Sequence, residues 1–222
     1  MDILEYGKIK TFSYNEYCDY LVNKNGQVPG AYFKNQFTRN NSISKKGFEV
    51  HHILENKVPN LSNPLYSIQF PSSFQEPSNL LYCDLFEHYL LHILIVEEIL
   101  NVKDASNEIK SILKDNSQKY YKLKDKMLQK TRGTYLSKLT SLHSLRGRFL
   151  SNELIVPGIN GVVYIERRLL LNKNHPDSDL LSVLKERAVK AKERLKSLVF
   201  ECIEKGCVEA KDCYSVLNTL HL

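Results

Sequence analysis

Four of the seven histidines fall in one stretch, Phe48 to Glu98: His51, His52, His88 and His92. Imidazole titrates near neutrality, so in its neutral form it is a good ligand for a borderline divalent metal and an acceptor for a proton from water. His88 and His92 are four residues apart, which on a helix puts both on one face, one turn above the other. His51 and His52 are adjacent. Two helix histidines facing a strand pair make a candidate metal site. The spacing is not that of a zincin, because the residue after His88 is Tyr89 rather than Glu. Either pair alone also fits a packed core or an incidental zinc site; the two together point to chemistry.

The elements that must hold these side chains are legible nearby. Phe48 to Leu54 is short and rich in β-formers, so it predicts a strand, and Asn79 to Cys83 predicts a second. Asp84 followed by Glu87 forms an Asp version of the capping box, and an apolar helix is expected from Leu85 to about Leu100. Neighbours on a strand point to opposite faces, so a bend or bulge is expected at His51 and His52 if both serve one site. Between the strands, residues 55–78 carry Pro59, Pro64, Pro71 and Pro77 and predict an ordered but irregular excursion.

The order His51-His52, Asn79, His88, His92 resembles the ββα-metal, or HNH, nuclease family, in particular colicin-type DNases and phage HNH endonucleases. The resemblance covers about fifty of the 222 residues, and the long segment between the strands departs from the family pattern. It implies that His51, His88 and His92 are metal ligands, that His52 is the general base, and that Asn79 braces the loop between the strands. It also implies one divalent ion per site (Mg²⁺, Mn²⁺ or Zn²⁺) and hydrolysis of DNA to 5′-phosphate and 3′-hydroxyl ends. Such an ion would polarise the scissile phosphate and stabilise the leaving oxygen.

Composition bounds the rest. The chain has 42% hydrophobic and 25% charged residues, ordinary for a globular protein. No run reaches the ~18 apolar residues of a membrane span and the N-terminus lacks a signal-peptide core, so a cytoplasmic protein without a membrane partner is expected. Five cysteines without CxxC spacing predict reduced thiols. The net charge of +6 is uneven: residues 1–100 hold 8 Lys/Arg against 11 Asp/Glu, whereas 101–222 hold 23 against 14. Any grip on a polyanion is therefore expected from the second half.

That half reads as charged helix. Ser106 is a candidate N-cap for a helix over 107–130. Between Lys119 and Arg148 there are nine Lys/Arg and one acid, interleaved with tyrosines. Lys122, Lys124, Lys126, Arg132, Arg146 and Arg148 are candidate contacts to double-stranded DNA, where binding would be driven by counterion release. Residues 154–165 predict a β-hairpin about Asn160-Gly161, with Arg167 and Arg168 beside it, either a groove-reading ribbon or a structural flap. From about Asp177 to Lys205 a long helix is expected. Its seam of Leu181, Leu184, Ala188, Ala191, Leu195, Leu198 and Cys202 would zip against a second copy, giving a homodimer, or against the same chain.

The expected architecture is α+β: an N-terminal prelude (1–47), a ββα-metal nuclease core (48–101), and a largely helical, basic DNA-binding and assembly region (102–222) with a small hairpin. A second region larger than the catalytic unit favours target selection, hence a restriction or homing endonuclease. The rival is a zinc-stabilised DNA-binding or regulatory protein that does not cut.

Overall fold

The structure is a computed structural model that describes residues 1–35, 38–118, 121–122, 146–147, 150–171 and 178–220. It is a mixed α and β fold with two antiparallel two-stranded sheets. In chain order its main elements are α1 (Ile3–Ile9), α2 (Tyr14–Asn25), β1 (Phe33–Asn35), β2 (Thr38–Arg39), β3 (Glu49–His52), α3 (Pro64–Ser67), β4 (Leu80–Cys83), α4 (Leu85–Glu97), α5 (Val102–Asp115), α6 (Ile159–Leu171), α7 (Ser178–Glu204) and α8 (Tyr214–Leu220).

Strands β3 and β4 pair in unbroken register, from Glu49 opposite Cys83 to His52 opposite Leu80. The alternation of side chains then divides two cores. Leu81 and Cys83 face the main core under α4, whereas Val50, Leu80 and Tyr82 face a smaller core with Val28, Tyr32 and Ile43. The expected bulge is absent. His51 therefore lies on the helix side of the ribbon and His52 on the other.

Helix α4 starts where its capping box demands. Asp84 Oδ1 accepts from the Glu87 amide at 2.8 Å, and Glu87 Oε2 accepts from the Asp84 amide at 2.7 Å. Its residues Phe86 to Val96 are buried nearly all round, apart from His88. That burial comes from α6 and α7, which pack against it. Arg187 of α7 grips the end of α4 through both Glu97 oxygens at 2.8 and 2.7 Å.

Two further expectations are overturned. Residues 154–165 do not form a hairpin; Ile159–Leu171 is a helix, α6. Ile159, Val162, Ile165 and Leu169 recur at helical spacing and are all buried, which outweighs the Asn160-Gly161 turn signal. Gly158, at φ +80°, makes the turn into it. The helix expected from residue 107 instead begins at Val102, because Asn101 caps it by accepting from Lys103 and Asp104 amides at 2.9 and 3.3 Å. Ser106 is buried within α5, where its hydroxyl accepts from the Ile155 amide at 3.2 Å.

The seam of α7 is internal. Leu184, Ala188, Ala191, Leu195 and Cys202 are buried as expected, but Leu180 and Val199 are the fully buried residues at its ends rather than Leu181 and Leu198. A straight helix of 3.6 residues per turn drifts off a strict heptad in this way. Its partners are α4, α5, α6, α8 and α1 of the same chain, so the seam gives no reason for a homodimer. The excursion between β3 and β4 is ordered by a third cluster, in which Val58, Leu61 and Phe70 pack on Ile109 and Leu113 of α5. All five cysteines are free thiols. Among the described residues no helix is long and apolar enough to cross a membrane.

Candidate metal centre

Strand β3 and helix α4 bring three imidazoles together. The ring centroids of His51, His88 and His92 stand 5.0 to 5.1 Å apart, and one nitrogen from each lies within 4.8 Å of the others. His51 is 1% exposed and His92 6%.

Two neighbours fix which nitrogens are free. The Tyr14 hydroxyl donates its one proton to the Ile53 carbonyl at 2.8 Å, so at 2.9 Å it accepts from His51 Nε2. The proton of His51 is thereby on Nε2, and Nδ1 keeps a lone pair. That Nδ1 is buried without a hydrogen-bond partner. His88 Nδ1 donates to Glu49 Oε2 at 2.6 Å, leaving Nε2 as its lone-pair nitrogen. Carboxylate-to-histidine pairs of this kind orient metal ligands and raise their basicity. Glu49 is held in turn by Arg168 of α6 at 2.5 Å. Burial opposes its charge, but His88 and Arg168 outweigh burial and hold the carboxyl down at about 2.

Burial favours the neutral form of His51 and His92. Burial first, then mutual repulsion, pushes His51 well below the ordinary histidine value; burial and the charge of His88 do the same to His92. Neutral imidazoles are the form a metal binds. An orphaned, buried lone pair beside two further imidazole ligands fits a divalent cation.

A cleft of about 500 Å³ opens beside the cluster. His51, His52, His88 and His92 border it, with Asn60 and Asn63 from the excursion and Asn160 and Tyr164 from α6. Glu55 lines it too. This carboxyl, 7% exposed, follows β3 on a 3₁₀ turn (Ile53–Asn56). Its Oε1 accepts from the Leu61 amide at 3.1 Å, and its Oε2 lies 3.5 Å from His92 Nε2 and 3.8 Å from His51 Nδ1. Burial raises it to about 7 against two backbone hydrogen bonds.

His52 has different company. Its ring packs on Tyr32 at a centroid distance of 4.4 Å, and Nε2 lies 2.9 Å from Gln75 Oε1. Because Gln75 turns its amide nitrogen to the Leu61 carbonyl at 3.3 Å, its oxygen faces His52, so His52 Nε2 is the donor and its Nδ1 the remaining acceptor. Burial, partly offset by Gln75, lowers His52 to about 4. Asn79 sits in the turn before β4, outside the cleft, and donates to the Ser73 carbonyl at 2.8 Å, so it ties down the excursion between the strands.

Of the basic residues read from the sequence, Lys122 and Arg167 are exposed, and Arg168 is near the cleft through Glu49. Arg146 is turned inward, 5% exposed, donating to Ser117 Oγ at 2.6 Å. Lys124, Lys126, Arg132 and Arg148 lie outside the described residues. Sequence reasoning missed Tyr14, Glu49, Glu55 and Gln75. Only Glu49 and Glu55 left a trace, as acids two before and four after His51.

No protein-family model, curated protein or solved structure matches this chain.

Proposed function

We propose that the protein is a metal-dependent DNA endonuclease of the HNH, ββα-metal kind, acting on double-stranded DNA with selection of its target, as a restriction or homing enzyme. One observation carries the reading: a strand histidine with a fixed tautomer and a buried, unpartnered lone pair converges with two helix histidines at the edge of an open cleft. A divalent cation (Mg²⁺, Mn²⁺ or Zn²⁺) held by His51, His88 and His92 supplies charge stabilisation for the scissile phosphate and leaving oxygen.

The chain's own groups do the rest. Tyr14 and Glu49 hold two of the ligand rings in place before any substrate arrives. His52 borders the cleft and its Nδ1 is the acceptor that takes a proton from the attacking water. Asn79 keeps the excursion, and with it Gln75, in place against His52. Arg168, already beside the site, and the basic second half of the chain meet phosphates.

A second reading is favoured by the environment of His52. A ring 1% exposed, bonded to Gln75 and lowered to about 4 is a weak base with little access to water. On that reading the protein is a zinc-stabilised DNA-binding or regulatory protein. Supercoiled plasmid incubated with the purified protein and Mg²⁺, Mn²⁺ or Zn²⁺ decides. Nicked or linear product lost in His51→Ala supports the endonuclease; tight metal binding and DNA binding without product supports the second reading.

A further inference from the structure

The 3₁₀ turn that closes β3 returns the chain beneath its own strand, so Glu55, four residues after His51, ends in the same buried pocket. One of its oxygens is anchored on the Leu61 amide; the other faces two histidine nitrogens. His51 carries its proton on Nε2, so the Nδ1 that faces Glu55 presents a lone pair to a carboxylate oxygen. Two electron-rich atoms 3.8 Å apart in a buried place repel unless a proton or a metal cation lies between them.

We infer that Glu55 supplies a fourth, carboxylate ligand to the metal held by His51, His88 and His92, making a centre of three imidazoles and one carboxylate. The inference rests on the metal-site reading above. Spacing supports it. Ligand atoms ~2.0–2.2 Å from one ion at tetrahedral angles stand roughly 3.3–3.6 Å from each other. Glu55 Oε2 is 3.5 Å from His92 Nε2 and 3.8 Å from His51 Nδ1, close to that edge length on both sides. One nitrogen from each of the three rings lies within 4.8 Å of the others, and Glu55, which stands outside that set, reaches two of the three rings, His51 and His92. The consequence concerns which ion works. Four protein ligands fill a tetrahedral zinc ion and leave no position for a phosphate oxygen, whereas a six-coordinate ion such as Mn²⁺ keeps two. Zinc would then stabilise the fold, and a six-coordinate ion would support cleavage.

The test is Co²⁺ titration of the full-length protein after chelation, without DNA, comparing wild type, Glu55→Gln and His88→Ala. Gln retains an oxygen for the Leu61 amide and removes the charge. Glu55→Gln is expected to weaken Co²⁺ binding by about 100-fold and to change the visible cobalt absorption, alongside the loss seen in His88→Ala. An infrared difference spectrum of the wild type should show a carboxylate stretch moving on Co²⁺ addition, a readout that does not depend on any variant folding. Unchanged affinity and absorption in Glu55→Gln, or no carboxylate band in the wild type, would overturn the fourth ligand and leave the three-histidine site standing. A wild type that binds no Co²⁺ would overturn both.

Discussion

The two faces of strand β3 carry the same side chain one residue apart and treat it in opposite ways. His51, on the helix side, has one nitrogen fixed by Tyr14 and the other buried with no partner. His52, on the far side, is stacked on Tyr32 and bonded to Gln75. A buried polar atom left unsatisfied costs about 1–3 kcal/mol, so a fold keeps one only where something else supplies the partner. The contrast separates a ring with a buried nitrogen left for a ligand from a ring held through Nε2 and its face by protein neighbours. A base also needs an acceptor that water can reach, and His52 is 1% exposed.

Removing the unsatisfied face should have the largest effect. His92→Ala is expected to lower Co²⁺ or Zn²⁺ affinity by more than about 100-fold, beyond the 10–100-fold typical of outer partners. His51→Ala should do the same. Both are measured by competition with a chromophoric chelator. Affinity retained in either variant would mean that the convergence of the three rings serves packing rather than a metal.

His52→Ala sharpens the comparison from the other side. Metal affinity should stay near the wild-type value, since His52 shares no ligand face with the cluster. If the endonuclease reading holds, single-turnover cleavage falls by about 10²–10⁴-fold, the usual worth of a general base. A variant that melts earlier yet cuts at the wild-type rate per folded molecule would assign His52 to the small core with Tyr32.

How much of this was legible beforehand follows from range. The capping box at Asp84, the helix pair His88 and His92, and the two strands are local patterns; the cap and the helix pair stand where the sequence placed them, and the strands are trimmed to Glu49–His52 and Leu80–Cys83, with Asn79 in the turn before the second. The boundary at Asn101 was missed because Ser106 is an equally good cap type, and only the docking of Ile155 on Ser106 settles it. Tyr14 could not be read, and Glu55 left only the trace of an acid four residues after His51. Tyr14 is 37 residues from His51, and Glu55 depends on a 3₁₀ turn that no residue pattern announces. The bulge expected between His51 and His52 followed from assuming that both serve one face; regular pairing with Leu81 and Leu80 separates them instead.

In the metal-free protein both faces leave a pH signature of one sign. His51 and His92 are held well below the ordinary 6.5 and His52 at about 4. The unfolded chain therefore binds protons below pH 6.5 that the folded chain does not, and stability present at neutral pH is lost as pH falls from 6.5 towards 4. Glu55 opposes this, because its folded value of about 7 exceeds the ordinary 4.5 and its contribution declines as pH rises between the two. Three histidines outweigh one carboxyl. His52 alone corresponds to roughly 3 kcal/mol, or roughly 6–12 °C in Tm for a chain of this size. Thermal melts in chelator at neutral and mildly acid pH should show the fall, and His52→Asn should reduce it; an undiminished fall would place its origin on the His51 face alone.

The smallest effect tests the residue whose signal misled. Asn160-Gly161 reads as a hairpin turn, yet Gly161 lies in the first turn of α6, where a Cβ would overlap the ring of His92. Glycine here is a close-approach residue: its missing side chain lets α6 seat directly on a candidate ligand. Gly161→Ala sets two effects against each other. Helix propensity alone favours Ala by about 1 kcal/mol. Overpacking against a buried ring costs roughly 1–3 kcal/mol and displaces that ring. The clash should win, so the variant is expected to melt below the wild type and to bind Co²⁺ more weakly. Stabilisation with unchanged metal affinity would mean that α6 yields without moving His92, and that the position of that ring is set by α4 alone.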